Sequence, residues 1–233
     1  RGILFDKDGT LVDYEATWGP INRRVADLAA RGEPVLTRRL LEIGGHDPES
    51  GRTRGGSLLA AAHTREIAQA WIDAGAAFDL DTLTKRMDAA FAEGAREAVP
   101  VTDVAGLFDR LRARGLALGV ATSDGVRAAH ATLARLGVST DDVFVAGYDS
   151  GFGGKPAAGM VRGFCAATGL KPAEVIVVGD NTHDLDMAET AGCAAALGVL
   201  TGTGRQAELA ARAAAVLTSI DALEAWLDAN GPA

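Results

Sequence analysis

The sequence predicts an α/β fold, a doubly wound parallel sheet into which an all-helical domain is inserted. Two observations predict it. From about residue 100 onward, short apolar runs alternate with helix-like patterns, which is typical of buried parallel strands joined by helices. Residues 13–97 interrupt this alternation with helical spacing and no strand-like run. We therefore expect an α/β core domain of residues 1–12 and 98–233 and a helical domain of residues 13–97.

Five apolar runs are the predicted strands, and the segments between them carry the spacing of helices. The runs are residues 2–5, 116–121, 143–146, 175–178 and 194–200. Thr102 is the expected cap of the helix before the second strand, and Gly115 its stop. Pro156 is expected in the first turn of a later helix, and Ser219 precedes the last one.

The inserted segment is predicted to hold helices separated by one long loop. Ile21, Val25 and Leu28 form an apolar stripe on one helix, and Leu83 and Met87 begin a stripe on another. Residues 44–56 lack periodicity and are rich in turn formers, so they should form a loop. The connectors at residues 12–16 and 98–102 would act as hinges.

Composition excludes several classes of partner. The chain has 233 residues, 48% of them apolar, and a net charge of −8. The acidic balance disfavours nucleic acids and anionic membranes, and no apolar run approaches the roughly 20 residues of a membrane span. Without a signal peptide pattern, and with Cys165 and Cys193 expected to be reduced thiols, we expect a cytoplasmic protein. The sequence does not predict an oligomeric state.

Chemically useful side chains follow the predicted strands, where ligands of open α/β sheets bind. Clustered carboxylates repel one another unless a cation lies among them, and a few hard oxygen ligands favour Mg²⁺. Because no GxGxxG follows a strand, a dinucleotide site is disfavoured. The residues at the strand ends are Asp6, Asp8, Thr122, Ser123, Asp124, Lys155, Asp180 and Asp184.

Four segments, FDKDGTLVD, ATSD, GGKP and GDNTHD, together resemble the four motifs of the haloacid dehalogenase-like hydrolases, in their phosphatase branch. The opening FDKDGTLVD and the position of the helical insert are similar to the phosphoglycolate phosphatase-like subgroup. The resemblance implies a Rossmann-like core with a helical cap after the first strand.

The resemblance also implies roles for individual residues. Asp6 would be the nucleophile that forms an aspartyl-phosphate, and Asp8 the general acid and base. Mg²⁺ would be held by Asp6, the Asp8 carbonyl and Asp180, with Asp184 acting on the ion directly or through a water molecule. The expected phosphate-binding residues are Gly9, Thr122, Ser123 and Lys155.

Strand alternation would point Asp6 and Asp8 the same way, with Lys7 opposite as a spacer. Attack by a carboxylate on a phosphate dianion requires positive charge to cancel their repulsion. A halide leaving group needs no proton, so the second acid favours phosphatase chemistry over dehalogenation.

The predicted function is a Mg²⁺-dependent phosphatase acting on a small phosphorylated metabolite, such as a phosphoglycolate-like monoester. The alternatives are a phosphoglucomutase-like isomerase using the same intermediate, a signalling receiver domain, and a non-catalytic phosphate-binding protein. A receiver domain is about half as long and has no helical insert after its first strand. In the cap loop, Arg52 and Arg54 would bind a substrate carboxylate, the alternative being solvated loop charge.

Overall fold

The structure is a computed structural model that describes residues 1–230. The chain divides into two compact units, one formed by residues 1–13 together with those from 99 onward, and the other by Tyr14–Ala98. The first unit contains the sheet, and the second contains helices. The strands are β1 Gly2–Phe5, β2 Ala117–Ala121, β3 Val143–Ala146, β4 Val175–Gly179, β5 Ala195–Val199 and β6 Ala215–Leu217.

Helices join the strands of the first unit. They are α6 Val104–Ala113, α7 Val126–Arg135, α8 Gly159–Thr168, α9 Thr182–Ala191, α10 Gln206–Ala210 and α11 Leu223–Asn230, with 3₁₀ turns at Pro172–Glu174 and Ile220–Ala222. Asp103, rather than Thr102, caps α6 by accepting a hydrogen bond from the Gly106 N–H. Helix α8 begins at Gly159, so the expectation that Pro156 opens it is wrong.

The sheet is parallel throughout, in the order β3-β2-β1-β4-β5-β6. Side chains of β1 alternate between two cores, as the pleat requires. Ile3 and Phe5 pack with α6 and α11 on one face, whereas Leu4 packs with Phe164 of α8 on the other. The doubly wound parallel sheet predicted from the sequence is therefore confirmed, and β1 lies at its centre.

The second unit has its own apolar core. Its helices are α1 Tyr14–Ala30, α2 Pro34–Gly44, α3 Leu58–Ala61, α4 Thr64–Asp73 and α5 Leu80–Gly94, followed by a 3₁₀ turn at Ala95–Glu97. The predicted stripes meet there, because Ile21 and Val25 of α1 belong to one buried cluster with Leu83 and Met87 of α5. Glu33 caps α2 through the N–H groups of Val35 and Leu36, which fixes where that helix begins.

Candidate active site

The chain leaves β1 through a tight loop that fixes the first acidic motif. The Asp6 N–H donates to the Val178 carbonyl of β4 at 2.8 Å, so Asp6 still follows the sheet. The Lys7 carbonyl then accepts the N–H groups of Leu11 and Val12 at 2.9 and 3.1 Å. Because the loop folds back at once, the strict alternation of an extended strand stops at Phe5.

Gly9 lies in this loop where only glycine fits. Its φ is +89°, and a Cβ there would lie 2.7 Å from the Asp180 carboxyl carbon and from the Gly202 Cα. Both the left-handed backbone and the close approach disfavour a side chain. Gly9 therefore allows the β1 loop to pack against the loops after β4 and β5.

Lys155 connects two of the predicted carboxylates. Its ammonium group donates to Asp6 Oδ1 at 2.5 Å and to Asp184 Oδ1 at 2.6 Å, and its side chain is only 4% exposed. Burial alone would lower the pKa of Lys155, but Asp184 and Asp6 raise it above its usual value. The lysine is therefore a permanent positive charge beside Asp6.

Asp6, Asp180 and Asp184 form a buried acidic cluster, with one oxygen of each within 4.8 Å of the others. Among the described residues, Asp6 Oδ2 is buried and accepts no hydrogen bond. Burial raises the pKa of Asp6 to about 6, with Lys155 opposing the rise and Asp184 adding to it. Burial, then Asp6 and Asp184, also raise the pKa of Asp180 well above its ordinary value. Such a cluster of hard oxygens fits a divalent cation.

Asp180 is oriented by the loop that follows β5. Its Oδ2 accepts hydrogen bonds from the Thr203 N–H at 2.7 Å and the Thr203 hydroxyl at 3.3 Å. A Cβ at Gly202 would lie 2.0 Å from the same oxygen, so this loop contacts the carboxylate closely. Thr201 adds a second link, because its hydroxyl donates to the Gly9 carbonyl at 2.6 Å.

Asp184 is held by α9 as well as by Lys155. Its Oδ2 accepts the Asn181 N–H at 3.1 Å, and Asn181 is the cap of that helix. A helix-capping role for Asp184 therefore coexists with its place in the acidic cluster.

Asp8 belongs to a second group of charges. Lys7 Nζ lies 2.6 Å from each oxygen of Asp8 and 3.0 Å from Asp124 Oδ2. Burial raises the pKa of Asp8 to about 6, although Lys7 opposes the rise. The expectation that Lys7 lies on the opposite side from Asp8 is wrong, because the loop ends the strand geometry before Lys7.

The second motif places a buried hydroxyl beside an exposed one. Thr122 follows β2, is 1% exposed, and accepts the Asp124 N–H through its Oγ1 at 3.1 Å. Ser123 is exposed. Both follow the carboxyl end of β2, the strand next to β1.

Arg52 and Arg54 belong to the second unit and have exposed side chains. Their backbones are fixed by a short loop, in which Asp47 N–H donates to the Arg52 carbonyl and Arg54 N–H to the Gly45 carbonyl. Within the same loop, buried His46 pairs through Nδ1 with the Thr53 hydroxyl at 3.0 Å. A substrate-binding role for the two arginines stays a prediction.

Sequence reasoning missed three residues of the first unit that contact the acidic motifs. Lys7 was interpreted as a spacer, and Thr201 and Thr203 were not considered. The two threonines follow β5, at the same edge of the sheet as the other site residues. Their position directly after a strand is therefore a signal that could have identified them.

The family model for haloacid dehalogenase-like hydrolases matches residues 1–192. The chain therefore belongs to the haloacid dehalogenase-like hydrolases. Similar curated proteins are an enolase-phosphatase E1 of Sorangium cellulosum, 30% identical over 89% of this chain and 91% of the relative, and a phosphoglycolate phosphatase of Chromobacterium violaceum, 30% identical over 84% and 83%.

A solved structure with the same fold is that of a putative beta-phosphoglucomutase of Thermotoga maritima. It superposes with a TM-score of 0.72 at 23% identity and covers 99% of both chains. Together, the family match and the phosphatase relatives confirm the predicted enzyme class, a hydrolase of the phosphatase branch.

The structure also bears on membranes. None of the helices formed by residues 1–230 is both long and apolar enough to cross a bilayer.

Proposed function

We propose that this chain is a Mg²⁺-dependent phosphatase that hydrolyses a small phosphorylated metabolite through an aspartyl-phosphate on Asp6. The observation that carries the proposal is the state of the Asp6 carboxylate. One of its oxygens is held by Lys155 at 2.5 Å, while the other is buried and accepts no hydrogen bond from the described residues. An oxygen so placed is available to attack phosphorus.

The neighbouring groups suit the remaining steps. As Asp6 Oδ2 bonds to phosphorus, the bond to the ester oxygen breaks, and Asp8 gives its proton to that oxygen. Water then attacks the aspartyl-phosphate, Asp8 takes the proton from the water, and inorganic phosphate leaves. Lys155 offsets the negative charge of Asp6 and of the phosphoryl group throughout.

The other predicted residues would bind the phosphoryl oxygens. Gly9 has no Cβ, which lets the backbone of the loop approach the substrate. Thr122 and Ser123 would donate their hydroxyls. Thr122 Oγ1 already accepts the Asp124 N–H, which leaves its proton free to face a phosphoryl oxygen.

The buried carboxylates fit a divalent cation in this site. Asp6, Asp180 and Asp184 are hard ligands of the kind Mg²⁺ prefers, and the Asp8 carbonyl would complete the protein's share. When bound, the cation supplies Lewis-acid charge that reduces repulsion between a carboxylate nucleophile and a phosphate dianion. Thr203 and Asn181 would hold Asp180 and Asp184 in place for it.

A phosphoglycolate-like monoester is the proposed substrate class. The phosphoglycolate phosphatase of Chromobacterium violaceum supports it, at 30% identity over most of both chains. The similar enolase-phosphatase is named for a different activity, so the test must compare several phosphate esters. Candidates should include 2-phosphoglycolate, sugar phosphates and p-nitrophenyl phosphate.

The test is phosphate release from this panel with Mg²⁺, using wild type and Asp6→Asn. Because the amide is nearly isosteric but cannot form the acyl phosphate, the variant should fold and lose turnover. Activity above about a tenth of wild type would remove Asp6 from the nucleophile role. An unchanged far-UV circular dichroism spectrum and melting profile would control for folding.

The same experiment separates the alternatives. A phosphatase transfers the phosphoryl group to water, whereas an isomerase returns it to the sugar, and ³¹P NMR of the products distinguishes these outcomes. A non-catalytic protein would bind phosphate esters without releasing phosphate from any of them.

A further inference from the structure

Lys7 is a buried lysine in direct contact with the proposed general acid. Its side chain is 1% exposed, and its Nζ lies 2.6 Å from both oxygens of Asp8. The same nitrogen lies 3.0 Å from Asp124 Oδ2, in the loop that follows β2. A buried ammonium is costly unless it is paired and hydrogen-bonded, and these two carboxylates supply that pairing.

The backbone around Lys7 is as well fixed as its side chain. The Lys7 carbonyl accepts hydrogen bonds from the N–H groups of Leu11 and Val12, and these two bonds close the loop after β1. Asp124 is fixed too, because its N–H donates to Thr122 Oγ1 and its carbonyl accepts the Tyr148 N–H at 3.0 Å. The ammonium group therefore links Asp8 to a second rigid loop.

The two lysines of the site bind different carboxylates. Lys155 contacts Asp6 and Asp184, whereas Lys7 contacts Asp8 and Asp124. Lys155 is therefore suited to act on the nucleophile and the phosphoryl group. Lys7 is suited to act on the group that moves the proton.

We propose that Lys7 is a positioning residue that holds the Asp8 carboxyl group toward the leaving oxygen, with Asp124 as its anchor. This inference rests on the function proposed above. When Asp8 gives up its proton, the resulting carboxylate stays paired with Lys7, so the group does not rotate away before it is needed as a base. The Lys7 ammonium group also contacts Asp124, and this second contact keeps Lys7 in place if the Asp8 carboxyl group moves.

The test compares leaving groups in Lys7→Met and wild type. The measured quantity is kcat/KM, because it reports the first transfer to Asp6 and not the later attack of water. An alkyl phosphate needs a proton on its leaving oxygen, whereas p-nitrophenolate does not. Since general acid catalysis contributes about 10²–10⁴-fold, kcat/KM should fall at least about 100-fold for the alkyl phosphate and less than about 10-fold for p-nitrophenyl phosphate.

Two further comparisons decide whether Lys7 acts through Asp8. Asp8→Asn should show the same dependence on leaving group, and the double variant should lose no more on the alkyl phosphate than Asp8→Asn alone. If the kcat/KM losses of the two single variants multiply in the double variant, Lys7 acts independently of Asp8. Lys171→Met, which removes an exposed lysine of the same unit, should leave both substrates unaffected.

Asp124→Ala covers the case in which Lys7→Met does not fold. It leaves Lys7 paired with Asp8 and removes only the anchor, so it should also reduce turnover of the alkyl phosphate more than that of p-nitrophenyl phosphate. Equal losses on both substrates in the folded variants would overturn the role of Lys7 while leaving the phosphatase intact. Absence of phosphate release by the wild type from every ester would overturn the proposed function, and the role of Lys7 with it.

Discussion

Replacement of Lys155 by Met should destabilise the protein in a manner that depends on pH. The side chains of Lys155, Asp6 and Asp184 are 4%, 9% and 2% exposed, and the ammonium group contacts both carboxylates. Methionine keeps much of the volume but leaves two buried acids without their cation. The change therefore tests whether Lys155 is the charge that permits an acidic cluster to be buried.

The size of the effect follows from the burial of the partners. Removing one member of a buried ion pair costs about 3–5 kcal/mol. For a chain of this length, each kcal/mol shifts the melting temperature by about 2–4 °C, so the metal-free variant should melt roughly 6–20 °C lower at pH 8.

The loss should shrink as the pH falls. With Lys155 present, the pKa of Asp6 is already raised to about 6, mainly by burial, and removal of the lysine raises that pKa further. An acid whose pKa is raised by folding destabilises the protein above the folded value and has no such effect below the unfolded value near 4. The variant should therefore lose less stability at pH 5 than at pH 8.

The assay is thermal and urea unfolding of both proteins in EDTA at the two pH values, with Lys171→Met as the matched control. Added Mg²⁺ should recover part of the loss at pH 8 because it replaces positive charge in the cluster. A loss below about 1 kcal/mol, the range of exposed ion pairs, or an equal loss at both pH values would refute this account.

Three further changes should have defined results. EDTA should abolish turnover and Mg²⁺ restore it, while excess Ca²⁺ inhibits because its looser coordination misplaces Asp6; full activity in EDTA would contradict the metal site. Gly9→Ala should lower stability by more than about 1 kcal/mol and abolish activity, whereas Gly115→Ala, which has a similar positive φ but open space around it, should cost less and keep activity. Alanine at both Arg52 and Arg54 should lower kcat/KM for carboxylate-bearing esters more than for p-nitrophenyl phosphate. Equal losses on both substrates would show that neither arginine binds the leaving group.

The sheet could be predicted because its strands are buried on both faces. Such strands are continuous apolar runs, and all five expected runs occur within one residue of their predicted ends. The fifth, β5, is one residue shorter at each end. Strand β6 was missed because Ala215–Leu217 is only three residues long and lies at the sheet edge, where an alanine-rich run resembles the helix before it.

The site was only partly predictable for a related reason. The motifs identify which side chains follow the strands. The contacts of those side chains, however, depend on the conformations of loops whose sequences show no periodic pattern. Lys7 turns toward Asp8 because the strand ends at Phe5, three residues before Asp8, whereas the prediction from alternation took the chain as extended through Asp8. Thr203 reaches Asp180 across 23 residues of sequence, and no local pattern encodes such a contact.

The charges of the first unit favour a divalent cation at the buried acidic cluster. Lys155 and Lys7 each contact two carboxylates, whereas Asp180 is held by the neutral donors of Thr203. In their ordinary ionised forms these five acids and two lysines leave an excess of three negative charges. Burial raises the pKa values of Asp6, Asp8 and Asp180, which disfavours the ionised form of Asp6. A divalent cation bound beside Asp6 and Asp180 would offset most of that excess, favour the ionised form of Asp6, and allow a phosphate dianion to approach it.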